Sequence, residues 1–338
     1  MDIIEDYLWV MKHITILVPN GDNNLSSIVG AYKILSRANR YWMELGNKNC
    51  YKIELAGSSK KIEFHDGLFS AQPHQRFTNI QSTQLIIIPS LQHNYEKAVH
   101  MNQDLIHWIG EQHAKGAEIA SICTGAFLLA ATGLLTNRHC STHWAFAATL
   151  QNLYPAIKVQ PDQLITDENG LYTNGGAYSF LNLLLYLVEK YFDRPTAIYC
   201  SKVFQIEMDR TRQSEFILFN GLKTHTDETI LQVQAFMETN LRTTLSIEQL
   251  ATSFSIGRRS LDRRFSKATG HTPLEYLQRL KIEAAKKAFE TSRQTIAEVM
   301  YDLGYTDIKS FRELFKKITG LSPMEYRKKY NKTALVIS

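Results

Sequence analysis

The chain has 338 residues, too many for one ordinary domain and suited to two. With 44% apolar residues, 17 Gly and 8 Pro it is neither disordered nor collagenous, and no apolar run approaches the ~18 residues that a membrane span needs. The net charge of +5 is unevenly placed: residues 1–226 hold 19 Lys/Arg against 20 Asp/Glu, and residues 227–338 hold 19 against 13. A basic excess confined to the last third points that part alone at a polyanion.

In chain order, residues 1–11 read as an extension whose acids (Asp2, Glu5, Asp6) do not make a secretory signal; Met11 is an alternative start. Residues 12–210 alternate β-branched runs at 13–18, 83–88 and 117–122 with helix-period stretches such as 102–115, closed by Gly116, and 181–188. That alternation predicts an α/β domain: three αβα layers around a mostly parallel, flavodoxin-like sheet. Residues 211–228 lose the pattern and are the expected linker. Residues 229–330 carry only helical signals, and 331–338 form a tail. Cys50, Cys123, Cys140 and Cys200 include no Cys-x-x-Cys pair, so no disulfide framework is expected and the predicted compartment is a reducing cytoplasm.

The last third repeats itself. Residues 265–276 recur as 315–326 with seven of twelve positions identical, among them Thr269/Thr319, Gly270/Gly320, Pro273/Pro323 and Tyr276/Tyr326. Each copy reads as helix, turn, helix, with Ser246 and Asp307 as N-caps and one extra residue in the second turn. The second helix of the first copy turns Leu261 and Phe265 inward and Arg259, Asp262, Arg263 and Ser266 outward, with Arg258 at its start. The second copy turns Phe311 and Phe315 inward and Lys309, Ser310, Arg312, Glu313 and Lys316 outward. A major groove admits one such helix, Arg and Lys can grip guanine edges, and a carboxylate can accept from cytosine. The partner expected from this pattern is double-stranded DNA.

These phrases, above all 261–265, 269–276, 304–311 and 315–327, resemble the DNA-binding domain of AraC/XylS-family transcriptional regulators. The resemblance implies two helix-turn-helix units joined by a long helix over about residues 273–290, roughly 27 Å at 1.5 Å per residue. It also implies promoter DNA as the partner, with RNA polymerase added if the protein activates. Gly257 stands where the family usually has Ser, and Glu313 where a basic or polar residue is common; Lys316 or Lys317 is its expected partner. The two stripes differ, so one monomer should read an asymmetric site.

In the first domain, residues 120–130 read as strand, Cys123, helix. A Cys at such a turn is either a nucleophile activated by the helix's amides or a small buried hydrophobe. This segment, with Gly133 and residues 141–144 behind it, resembles PfpI-like (class I glutamine amidotransferase-like) domains, and the whole chain resembles regulators that join such a domain to an AraC-type reader. Catalytic relatives need a base beside the Cys and a carboxylate from the first turn, but Thr124 follows Cys123 and Ser27 stands at the acid's place. No catalytic residue is therefore assigned. His139 and His143 could share a helix face but lack further ligands, so no metal and no cofactor is expected. A ligand crevice is expected at the carboxyl ends of the strands, near residues 19–25 and 89–93, formed by Cys123, Thr124, Gly125, Asn174, Gly175, Gly176 and Tyr178. The amides of Thr124, Gly125, Gly175 and Gly176 would hold a carboxylate. The resemblance implies a small nitrogenous effector. Sensing and homodimerisation both remain open roles for this domain, as does a Cys hydrolase carrying a DNA tether.

Overall fold

The computed structural model describes residues 12–331 apart from 49, 93, 209, 211, 220–222, 224 and 244. The expected extension 1–11, His93 of the expected crevice, residues 211, 220–222 and 224 of the expected linker and residues 332–338 of the expected tail lie outside the described residues. The chain divides into two compact units, residues 1–213 and 214–338.

The first unit runs β1 (Lys12–Val18), α1 (Leu25–Glu44), β2 (Tyr51–Gly57), β3 (Ile62–Phe64), β4 (Phe69–Ala71), β5 (Gln75–Arg76) and β6 (Leu85–Ile88). It continues through α2 (Tyr95–Met101), α3 (Gln103–Ala114), β7 (Glu118–Ser121), α4 (Ala126–Ala131), β8 (His139–Cys140) and α5 (Ala147–Leu153). It closes with β9 (Lys158–Val159), β10 (Ile165–Asp167), β11 (Leu171–Asn174), α6 (Phe180–Tyr191) and α7 (Arg194–Phe204). Seven strands form one sheet in the order β10-β11-β7-β6-β1-β2-β5, in which β10 alone runs antiparallel to its neighbour.

All four residues of β6 are buried, as a parallel strand covered on both faces requires. Ile14, Ile16, Leu85 and Ile87 pack with α1, α6 and α7 on one face. Leu17, Ile86, Ile88 and Ile119 pack with α2, α3 and α4 on the other. The three αβα layers of the sequence reading are thus present. The expected helix at 102–115 begins one residue later, because the Asn102 amide is buried and donates to the carbonyls of Ala98 and Asn20.

Among its described residues the second unit contains no strand, and its α-helices are α8 (Glu228–Thr239), α9 (Ile247–Ser253), α10 (Arg258–Thr269), α11 (Pro273–Thr291), α12 (Ile296–Asp302), α13 (Ile308–Thr319) and α14 (Pro323–Tyr330). α9–α10 and α12–α13 are the two helix-turn-helix pairs, and α11 is the long helix between them. Each pair has its own small core, one around Leu261, Phe265 and Tyr276 and one around Phe311, Phe315 and Tyr326.

The duplication extends to single hydrogen bonds. α9 and α12 open with capping boxes, Ser246 with Gln249 and Thr295 with Glu298, and α11 and α14 do so with Thr272/Glu275 and Ser322/Glu325. Thr269 and Thr319 each donate to the carbonyl of the Phe one turn back at 2.8 Å. α10 and α13 end at Gly270 and Gly320 with φ of 73° and 81°, the left-handed C-cap that favours glycine.

Candidate functional site

The outer faces of α10 and α13 differ in how their charges are spent. Arg258 donates from Nε to Asp262 at 3.0 Å and from its guanidinium to Glu248. Arg264 forks onto Asp227 at 2.9 and 2.6 Å. Arg259 and Arg263, one turn apart, are exposed and form no ion pair among the described residues. The sequence reading gave Arg258 and Asp262 to DNA; the structure ties them to each other, and Ser266 beside them is half-buried.

On α13, Lys309, Ser310, Arg312, Glu313 and Lys316 are all exposed. Asp307 caps the helix by accepting from the amides of Lys309 and Ser310 at 3.3 and 2.7 Å. Among the described residues Glu313 forms no ion pair with Lys316 or Lys317, contrary to the pairing expected for it. α10 begins at Gly257 without a side-chain cap.

In the first unit β7 delivers Cys123 into a left-handed turn, φ 53°, and the residue is only 4% exposed. Its amide donates to the Asn174 Oδ1 at 3.1 Å, and the Thr142 hydroxyl donates to its carbonyl at 3.0 Å. Ser90 and Thr124 share a hydroxyl–hydroxyl bond of 2.9 Å beside it. Burial pushes the Cys123 thiol up from its ordinary value, against the hydrogen bonds of Ser90 and Thr124. Gly125 lies so close to the end of β6 that a Cβ would fall 2.6 Å from the Pro89 carbonyl.

The expected carboxylate cradle is partly used up. The Gly125 amide donates to Ile122 and the Gly175 amide to Leu164, both at 2.8 Å, so neither is free for a ligand. Gly176 is shielded by Ser179, whose hydroxyl bonds the Gly175 carbonyl. Tyr178 is 68% exposed, and Phe180 is core, its ring filling the space beside Gly30. Over Gly175 lies a side chain the sequence did not single out: Gln213, fully buried, whose Nε2 donates to the carbonyls of Thr142 and Gln163 at 3.0 and 3.2 Å.

Residues 40–190 match the DJ-1/PfpI family, and residues 250–329 match a helix-turn-helix domain. The chain joins a DJ-1/PfpI domain to an AraC-type helix-turn-helix domain. Among the curated relatives are the HTH-type transcriptional regulator GbdR of Pseudomonas aeruginosa and the HTH-type transcriptional regulator GlxA of Rhizobium meliloti. GbdR is 24% identical over 228 residues, covering 67% of this chain and 62% of that protein. GlxA is 25% identical over 219 residues, covering 63% and 66%. The chain thus spans less than two thirds of the length of these relatives. A solved candidate transcriptional regulator from Vibrio parahaemolyticus superposes with a TM-score of 0.51 at 26% identity, over 57% of this chain and 98% of that one. A ThiJ/PfpI family protein from Pseudomonas syringae superposes at 0.50 and 17% identity, over 72% and 88%, a likeness of fold.

Within the PfpI domain the groups around Cys123 are held in other bonds. Ser27 donates to the Asn24 carbonyl and accepts from the Ser90 amide, closing the first turn onto the β6 end. The His143 Nδ1 accepts from the Ala145 amide at 3.1 Å, and burial holds its pKa below the usual histidine value. His139 lies in strand β8 and pairs with Glu168 at 2.6 Å, so the two histidines do not share a helix face. Among the described residues no three His, Cys, Asp or Glu side chains are grouped as a metal site, and no helix is long and apolar enough to cross a membrane. A cavity of about 780 Å³ opens elsewhere on the domain, against β10 and α6, and its charges are mostly paired: Lys190 with Asp167, Arg194 with Glu189.

Proposed function

We propose that the chain is a sequence-specific, DNA-binding transcriptional regulator of the cytoplasm whose PfpI domain senses a small molecule and carries out no catalysis. The observation that carries this reading is the pair of outward basic stripes, Arg259/Arg263 and Lys309/Arg312/Lys316, without ion-pair partners among the described residues on duplicated helix-turn-helix units. Arg259 and Arg263 reach base edges from α10, and Lys309, Arg312 and Lys316 from α13; Ser310 and Glu313 flank them. Arg258, Asp262 and Ser266 hold the first stripe in place. The names of GbdR and GlxA support the regulator reading.

The effector contacts are assigned to the cluster around Cys123, Thr124, Asn174 and Gly176. Pairing of two PfpI domains would make the reader a dimer, and RNA polymerase becomes a partner if the protein activates. The test is binding of the full chain to fragments selected from a random duplex library. No enrichment over a non-specific duplex at moderate salt would sink the proposal.

The rival reading is a Cys-dependent hydrolase with a DNA tether, favoured only by the left-handed turn at Cys123. Full operator control by Cys123→Ala, with no turnover by the wild type on amide or ester substrates, removes it. Loss of turnover in that variant would establish it.

A further inference from the structure

Gln213 is the last residue of the first unit and is held by groups far from it in the chain. Its side chain is fully buried, its backbone amide donates to the Asp162 carbonyl at 3.1 Å, and its Nε2 spans the Thr142 and Gln163 carbonyls. Two carbonyl acceptors on one nitrogen fix the carboxamide's orientation. Among the described residues the Oε1 is buried without a partner, whereas buried polar atoms are ordinarily hydrogen-bonded. Gly175 is shaped to the same group: a Cβ there would fall 2.5 Å from Gln213 Cδ. Thr142 joins this seat to the Cys123 turn, because its carbonyl takes the Gln213 amide while its hydroxyl holds the Cys123 carbonyl.

We propose that the Gly175–Thr142–Gln163 seat is a binding site for a primary carboxamide, and that Gln213 is its internal occupant, displaced when a ligand bearing that group enters. This rests on the reading of the PfpI domain as a sensor. Displacement has a direct route to the reader, since the next residue, Ser214, begins a 3-10 turn over Ser214–Phe216. That turn packs against α13, and the following Ile217 carbonyl accepts from the buried Lys286 Nζ of α11 at 2.6 Å. Release of Gln213 therefore slackens a segment that touches both the second recognition helix and α11, the helix between the two helix-turn-helix pairs.

The test uses the full chain. Trypsin cleavage at the exposed Arg212 should be faster by about tenfold or more in Gln213→Ala, the change in local opening expected when two buried hydrogen bonds are lost. Gly175→Ala should do the same by evicting the side chain, and the double variant should add nothing to either. Propionamide should slow cleavage of Gln213→Ala and raise its Tm by about 2 °C or more, whereas sodium propionate should not, because a carboxylate cannot donate to two carbonyls. Cleavage within about twofold of wild type, or equal effects of propionamide and propionate, would overturn the proposal. Should Gln213→Ala fail to fold, Gln213→Glu keeps the side chain's length without its donors and is held to the same cleavage criterion. Operator binding by the wild type is measured alongside. Its absence sinks the regulator reading, while its presence with unchanged cleavage sinks the seat alone.

Discussion

Arg263 and Arg264 are neighbours on α10 with opposite surroundings, and exchanging each for Ala separates DNA reading from folding. Arg263 points to solvent without an ion pair among the described residues; Arg264 forks onto Asp227, which also caps α8 by accepting from the Ile230 amide. The outer faces offer five such cations: Arg259, Arg263, Lys309, Arg312 and Lys316. If each displaces one counterion, log Kd should rise with log salt at a slope of about 4.5, so affinity falls roughly 500-fold between 50 and 200 mM. Arg263→Ala should cost ~1–3 kcal/mol on the selected duplex, about 5- to 160-fold in Kd, with relaxed sequence preference and an unchanged Tm. Arg264→Ala should lower Tm and leave the Kd of the folded fraction within about twofold. The assay is fluorescence anisotropy across a salt series, paired with thermal melting. A melting loss in Arg263→Ala without a binding loss, or a larger binding loss in Arg264→Ala, would refute the assignment. A wild-type slope near zero would refute the whole electrostatic account.

Three further outcomes are expected. Phe315→Ala should cost ~3–5 kcal/mol, because its ring meets both Phe289 and Tyr326 at 5.5 Å in a small core, and the α12–α14 part should lose its cooperative melt; retention of wild-type amide protection there would contradict this. Gly125→Ala should destabilise the PfpI domain by ~1–3 kcal/mol or more in urea titration, since the clash is with backbone carbonyls that cannot rotate aside. Burial pushes the Cys140 and Cys200 thiols up to about 12 and about 11. Both are protonated in the folded state when the unfolded chain has begun to lose its protons, so stability is full below about pH 8.5 and declines above it, by about 1.4 kcal/mol per pH unit per thiol until the folded pKa is reached. Cys200→Ala should flatten that decline between pH 8.5 and 10, and an identical slope would refute the linkage.

Much of the fold was legible because its signals are local. The β6 run, the repeat of Phe, Thr, Gly, Pro, Glu and Tyr at an offset of 50, and the Ser or Thr three residues before Glu each specify a strand, a core contact or a cap within a few residues. β2 was not legible, since Lys52 and Glu54 interrupt its apolar pattern, and the Glu54 carboxylate is held by His13 and Gln75 from other strands as well as by Lys52. The crevice was half legible. Sequence placed Cys123, Thr124 and Asn174 at strand ends, but not the hydrogen bonds that use up the Gly125 and Gly175 amides.

The sequence by itself determined that the last third is a duplicated, basic helical domain, because the repeat and the helical period are properties of the chain order. It also determined which positions point outward. Only the tertiary structure decided which of those charges remain unspent, because Glu248 and Asp227 reach Arg258 and Arg264 from other helices. It likewise decided that Gln213, one polar residue in a stretch without pattern, fills the seat over Gly175, since Thr142 and Gln163 meet it across 71 and 50 residues of chain.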